Sequence, residues 1–91
     1  MMTVSNTFRF NQVVSDLFKQ FSNDTPPHGD LFLEKLDQAI KLIRQHPELF
    51  VTEKHGVRRV RLGDALGIAL EYVFIPQKKE ILLQTLHPYG V

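Results

Sequence analysis

The chain has 91 residues, of which 43% are hydrophobic, 23% charged and 10% aromatic, with a formal charge of +1. This is the make-up of one small globular domain over residues 1–91, and it leaves no room for two. No run approaches the roughly 18 apolar residues of a membrane span, Met1 to Phe10 lacks the basic region and apolar stretch of a signal peptide, and there is no Cys for disulfides, thiolate metal sites or nucleophiles. A cytoplasmic protein with no membrane partner is therefore expected. A chain this short buries only about 60 to 65% of its unfolded surface, so its apolar residues must be concentrated in a few amphipathic elements.

Val4, Phe8 and Phe10 fall on even positions with Arg9 between the last two, which predicts a first strand over residues 3–10. Asn11 is then placed to cap a helix. Val13, Val14, Leu17, Phe18 and Phe21 recur at helical spacing and form its apolar stripe, and the helix should end near Asn23. Asp24 to Gly29, with two prolines and a glycine, reads as a turn, after which Asp30 can cap a second helix. Leu33, Leu36, Ile40 and Ile43 are its expected buried face, and Pro47 its stop, since the residue before a proline resists the helical conformation. The Phe stripe (Phe8, Phe10, Phe18, Phe21, Phe32) reads as core and not as a base-stacking platform.

The period then changes from 3.6 to 2. Val57 to Leu62 alternates, with Arg59 and Arg61 on one face and Val60 and Leu62 on the other. Gly63 and Asp64 turn the chain into an apolar strand, Leu66 to Ile75, interrupted only by Glu71. Pro76 to Lys79 leads to a last strand, Glu80 to His87. The order β-α-α-β-β-β predicts an α+β domain, with two helices packed on one face of a small, mostly antiparallel sheet. The partner of the first strand is not readable.

The charge is uneven along the chain. Residues 1–50 hold five Lys/Arg against six Asp/Glu, net −1, and residues 51–91 hold six against four, net +2. Lys54 to Arg61 (KHGVRRVR) contains four cations and no acid, and is the one stretch that looks like an anion footprint; Lys54 and Arg58 are candidates for binding a nucleic acid or a protein partner there.

Leu36 to Phe50 (LDQAIKLIRQHPELF), Gly56 to Leu62 (GVRRVRL) and Ile81 to His87 (ILLQTLH) together resemble the RelE/ParE superfamily of bacterial toxins, over about residues 30–89. The resemblance implies a two-helix hairpin against a small antiparallel sheet and a cognate antitoxin as partner. It also implies one of two activities on one scaffold: cleavage of messenger RNA on the ribosome, or inhibition of DNA gyrase. It sets Arg59 and Arg61 where the ribonuclease branch has basic residues in mid-sheet, and His87 and Tyr89 near its terminal His or Tyr. Two departures stand out. Gly67 to Leu70 (GIAL), before Tyr72, is uncharged where an arginine is common, and Pro88 stands where an arginine is frequent.

Cleavage through the 2′-hydroxyl needs a base for that hydroxyl, cations for the pentavalent phosphate and an acid for the departing 5′-oxygen. Arg59 and Arg61 project from one strand face and can clamp a phosphate. His87 is the candidate for proton transfer, because histidine changes charge between pH 5 and 8, and Tyr89 can stack on a base or donate a proton. The plainer alternatives are that Arg59 and Arg61 form a solvated strand face or dock an acidic antitoxin, and that His87 is bonded to the sheet edge. The four histidines lack ligand spacing, so neither a metal nor a cofactor is expected. The serines lack a nucleophile elbow and no glycine-rich phosphate loop is present. A non-catalytic binding module, either a gyrase inhibitor or an inactive toxin relative, is the competing expectation.

Overall fold

The computed structural model describes residues 2–89. Its elements are β1 (Thr3–Asn6), α1 (Phe8–Ser22), α2 (Gly29–Gln45), β2 (Val57–Arg61), β3 (Ile68–Ile75) and β4 (Glu80–Pro88). The sheet order is β1-β4-β3-β2. The last three strands form the expected antiparallel meander, and β1 lies parallel to β4, with Val4 opposite Ile81. This is the α+β order read from the sequence.

The first strand is shorter than expected, because a helix cap ends it. Thr7 is extended, and its Oγ1 accepts the Phe10 N–H at 3.0 Å while donating to the Gln84 carbonyl at 2.9 Å. One hydroxyl thus satisfies an orphan donor of the first helical turn and pins the turn to β4. Asn11 lies inside α1 and accepts from Asn6. Phe10 is buried, but Phe8, 84% exposed, is not core.

On α2 the expected face is off by part of a turn. Phe32, Leu36, Ala39 and Ile43 are buried, Ile40 is half-buried and Leu33 stays 42% exposed. The stripe i, i+4, i+7, i+11 includes a small residue, Ala39, which a search for large apolar residues passes over. His28 and not Asp30 precedes the helix, and Asp30 sits in its first turn, where a carboxylate suits the helix dipole. The start of α2 crosses the end of α1 so closely that a Cβ on Gly29 would lie 2.2 Å from Ser22 Oγ. Phe21 and Phe32 join the two helices there, their ring centroids 5.4 Å apart.

The helices cover one face of the sheet. Phe10, Phe32, Leu36 and Ile43 meet Val60, Leu70, Tyr72, Ile81, Leu83 and Leu86 in a continuous core. The inward residues of β4 are Ile81, Leu83 and then Leu86, a step of three where a strand alternates by two. A register shift between Glu71 and Tyr72 explains the step: Tyr72 pairs with Leu83 but Glu71 with Thr85, so Gln84 is an extra residue. Strict alternation from Ile81 would have turned Thr85 and His87 into the core. The bulge returns them to the open face, a common use of bulges near functional sites.

Candidate functional site

The open face carries two polar rows. In the first, Arg59 of β2 stands opposite Glu71 of β3, which stands opposite Thr85 of β4. In the second, Arg61, Ala69 and His87 occupy the same three strands. Arg61 and His87 are thus two strand spacings apart, about 10 Å between backbones, with only a methyl group between them.

Glu71 joins the rows. Its Oε2 lies 2.7 Å from Arg59 Nη2, 3.2 Å from Arg59 Nε and 2.6 Å from His87 Nε2. Burial pushes the Glu71 carboxyl up, but the hydrogen bonds and charges of Arg59 and His87 outweigh this and hold it below the usual carboxylate range. The same hydrogen bond raises the Arg59 guanidinium further, against a smaller opposing effect of burial. An ionised carboxylate has no proton to give, so Nε2 of His87 carries the hydrogen of that 2.6 Å contact. In the neutral ring this leaves the lone pair on Nδ1. The carboxylate therefore fixes the tautomer and orientation of the imidazole, as the acid of a Ser-His-Asp triad does.

Arg61 is set differently. Its guanidinium carbon lies 4.4 Å above the centre of the Tyr89 ring. Among the described residues no carboxylate comes within ion-pair distance of it. Tyr89 is held in turn by its N–H to the Gly67 carbonyl at 3.0 Å and its hydroxyl to the Gly63 carbonyl at 3.1 Å. Tyr89 is thus a platform for Arg61, and its hydroxyl proton is engaged by backbone.

Lys54 and Arg58 part company. Arg58 faces the helical layer beside Tyr72, and its guanidinium donates to the carbonyls of Glu48 and Phe50. Tyr72, buried and its hydroxyl pushed up by that burial, donates to the Pro47 carbonyl at 2.9 Å. Together these two side chains fasten the segment between α2 and β2. Lys54 lies on the open face, beside a cavity lined also by Glu53, Val57, Arg59 and Glu71. It precedes a turn in which His55 (φ 62°) and Gly56 (φ 73°) are both left-handed and the Val57 N–H bonds back to the Lys54 carbonyl, the form that joins two antiparallel arms in a tight hairpin.

The structure thus brings Arg59, Arg61, His87, Tyr89 and Lys54 to one face and turns Arg58 to the other. Sequence reasoning missed Glu71. Its signal was present as the one charge in the otherwise apolar run from Leu66 to Ile75, but nothing in a single strand says which cations face it across two neighbours.

Solved structures share this architecture. The chain superposes on the E. coli RelE–RelB toxin–antitoxin complex over 100% of both chains with a TM-score of 0.68 at 13% identity. A metal-bound toxin from Helicobacter pylori gives 0.62 at 18%, and the archaeal RelE–RelB complex from Pyrococcus horikoshii 0.58 at 19%, each over 98% of this chain and 96% of the other. The fold is that of the RelE toxins. No protein-family model and no curated relative matches the sequence. No helix among the described residues is long and apolar enough to cross a membrane.

Proposed function

We propose that this chain is a cytoplasmic RelE-type toxin of the RelE/ParE superfamily, a metal-independent endoribonuclease that cuts messenger RNA on the ribosome and is restrained by a cognate antitoxin. The observation that carries the reading is the pairing of an imidazole oriented by a half-buried carboxylate with an arginine that, among the described residues, has no carboxylate partner on the same face. His87 Nδ1 takes the proton of a 2′-hydroxyl, and the 2′-oxygen attacks the adjacent phosphorus. The 5′-oxygen leaves as it takes a proton from solvent water, and a 2′,3′-cyclic phosphate remains. Arg61 carries the charge that develops on the phosphorane, and Arg59, committed to Glu71, stiffens the carboxylate that steers His87. The open sheet edge at β1, and that of β2 beyond Arg58, where Thr52 and Glu53 no longer pair with it, suit an antitoxin that adds a strand or wraps a helix over the surface.

Induction of the protein in bacteria should stop translation, and Arg61→Ala and His87→Ala should each relieve the arrest. Undiminished toxicity in both variants would remove the assignment. A second reading, a gyrase inhibitor or an inactive relative, is favoured by one feature: Glu71 offsets the charge of Arg59, and Gly67 to Leu70 supplies no arginine in its place. Following DNA, RNA and protein synthesis separately after induction decides between them. Loss of replication first points to gyrase, loss of translation first to the ribonuclease, and no loss to an inactive relative.

A further inference from the structure

The bulge that sends His87 to the open face is gripped from the other end of the chain. Thr7 donates its N–H to the Leu83 carbonyl at 3.1 Å and its Oγ1 hydrogen to the Gln84 carbonyl at 2.9 Å. Leu83 is the last residue of β4 before the register shift, and Gln84 is the extra residue. The extra residue of a bulge is left out of the ladder, so its carbonyl needs another donor, and the Thr7 hydroxyl is that donor. The grip comes where β4 is least supported. β1 ends with Asn6 opposite Leu83, so Thr85 to Pro88 pair with β3 alone.

Core packing by itself does not place the bulge. Leu83 and Leu86 are 1% and 3% exposed, and burying both requires an extra residue between them without deciding whether it is Gln84 or Thr85. With Gln84 extra, Thr85 stands opposite Glu71 and His87 Nε2 reaches Glu71 Oε2 at 2.6 Å. With Thr85 extra, Gln84 would stand there instead, and its amide would compete with the imidazole for the carboxylate. We propose that Thr7 is a positioning residue of the catalytic centre, whose hydroxyl fixes the extra residue at Gln84 and so keeps His87 on Glu71; as a statement about catalysis this rests on the ribonuclease reading above. A misplacement of about 1 Å at a reacting group can cost roughly 100-fold in rate. One hydrogen bond that sets a strand register is therefore enough to matter.

Thr7 Oγ1 also accepts the Phe10 N–H, so the test separates capping from the grip on Gln84. Thr7→Asp does this, because an ionised carboxylate caps a helix as well as threonine but has no hydrogen to donate. Thr7→Gly does it a second way, since glycine at a helix cap costs little stability and offers no hydroxyl. Thr7→Ser keeps both bonds. Two readouts are set beside the urea midpoints: the single-turnover rate of messenger RNA cutting on programmed ribosomes at saturating protein, and the low-field proton resonance of His87 Nε2–H, whose bond to a carboxylate slows its exchange with water. Thr7→Ser should match the wild type in both. Thr7→Asp and Thr7→Gly should keep urea midpoints near the wild type, lose the resonance and cut about tenfold or more slowly. Absence of the resonance from the wild type, an unchanged resonance or rate in Thr7→Asp and Thr7→Gly, or an equal loss in Thr7→Ser overturns the proposal. If the wild type does not cut, the ribonuclease reading falls and the resonance alone decides. Its loss in Thr7→Asp and Thr7→Gly with survival in Thr7→Ser then upholds the hold of Thr7 on His87, and its survival in all three rejects it.

Discussion

Glu71 contributes to folding as well as to the site, and the two roles are separable by pH. Its carboxyl is held below the usual range in the folded protein. Its pairing with Arg59 and His87 therefore contributes fully above the unfolded value of about 4.3 and is lost as pH falls through that value and then through the lower folded one. Wild type should lose about 1 kcal/mol more stability than Glu71→Gln between roughly pH 5 and pH 3. Urea midpoints at a series of pH values measure the difference, and parallel acid limbs for the two proteins would show that the pairing adds nothing. Tyr89 gives a second separation at this scale. Its ring carries Arg61 and its hydroxyl only anchors the ring. Tyr89→Phe should therefore remain toxic on induction and Tyr89→Ala should be weakened, whereas a proton-donating Tyr89 would make the two equally defective.

At the scale of the elements, Thr7 is the junction between the helical layer and the sheet. Replacing it by Ala removes both the cap of α1 and the bond to the Gln84 carbonyl, and should cost about 1 to 2 kcal/mol in chemical denaturation, with Thr7→Ser recovering most of the loss. This junction also marks how far the sequence could be read. The helices and the three-strand meander were legible because each repeats a period over many residues. The end of β1 was not, since the even spacing of Val4, Phe8 and Phe10 fits a strand and a single hydroxyl overrides it. The outward turn of His87 was illegible for a related reason. Ile81, Leu83, Thr85 and His87 form an unbroken alternation, and the bulge that interrupts it at Gln84 is defined only by pairing with β3. Arg59 and Arg61 were placed correctly on one face by alternation alone. Arg58 went by the same alternation to the other face, so its nearness in sequence to the basic strand did not make it part of the basic surface.

For the whole molecule the sheet divides the charges by face, and this division sets the response to salt. Lys54, Arg59 and Arg61 face the open side, while Arg58 is bound to the carbonyls of Glu48 and Phe50. If Lys54 and Arg61, the two of these not paired with Glu71, each neutralise one phosphate, affinity for single-stranded RNA should fall with a log-log slope of about −1.4, or about 7-fold between 50 and 200 mM salt. Arg61→Ala should bring the slope down by about 0.7, the value of one phosphate contact. Arg58→Ala should leave the slope unchanged while lowering thermal stability, because what it loses is the fastening of the segment before β2. Equal reductions of slope by Arg58→Ala and Arg61→Ala would mean that the basic stretch acts as a diffuse patch and not as a face. A flat salt response in the wild type would instead leave the open side to a protein partner, for which exposed arginines govern the rate of association more than the final affinity.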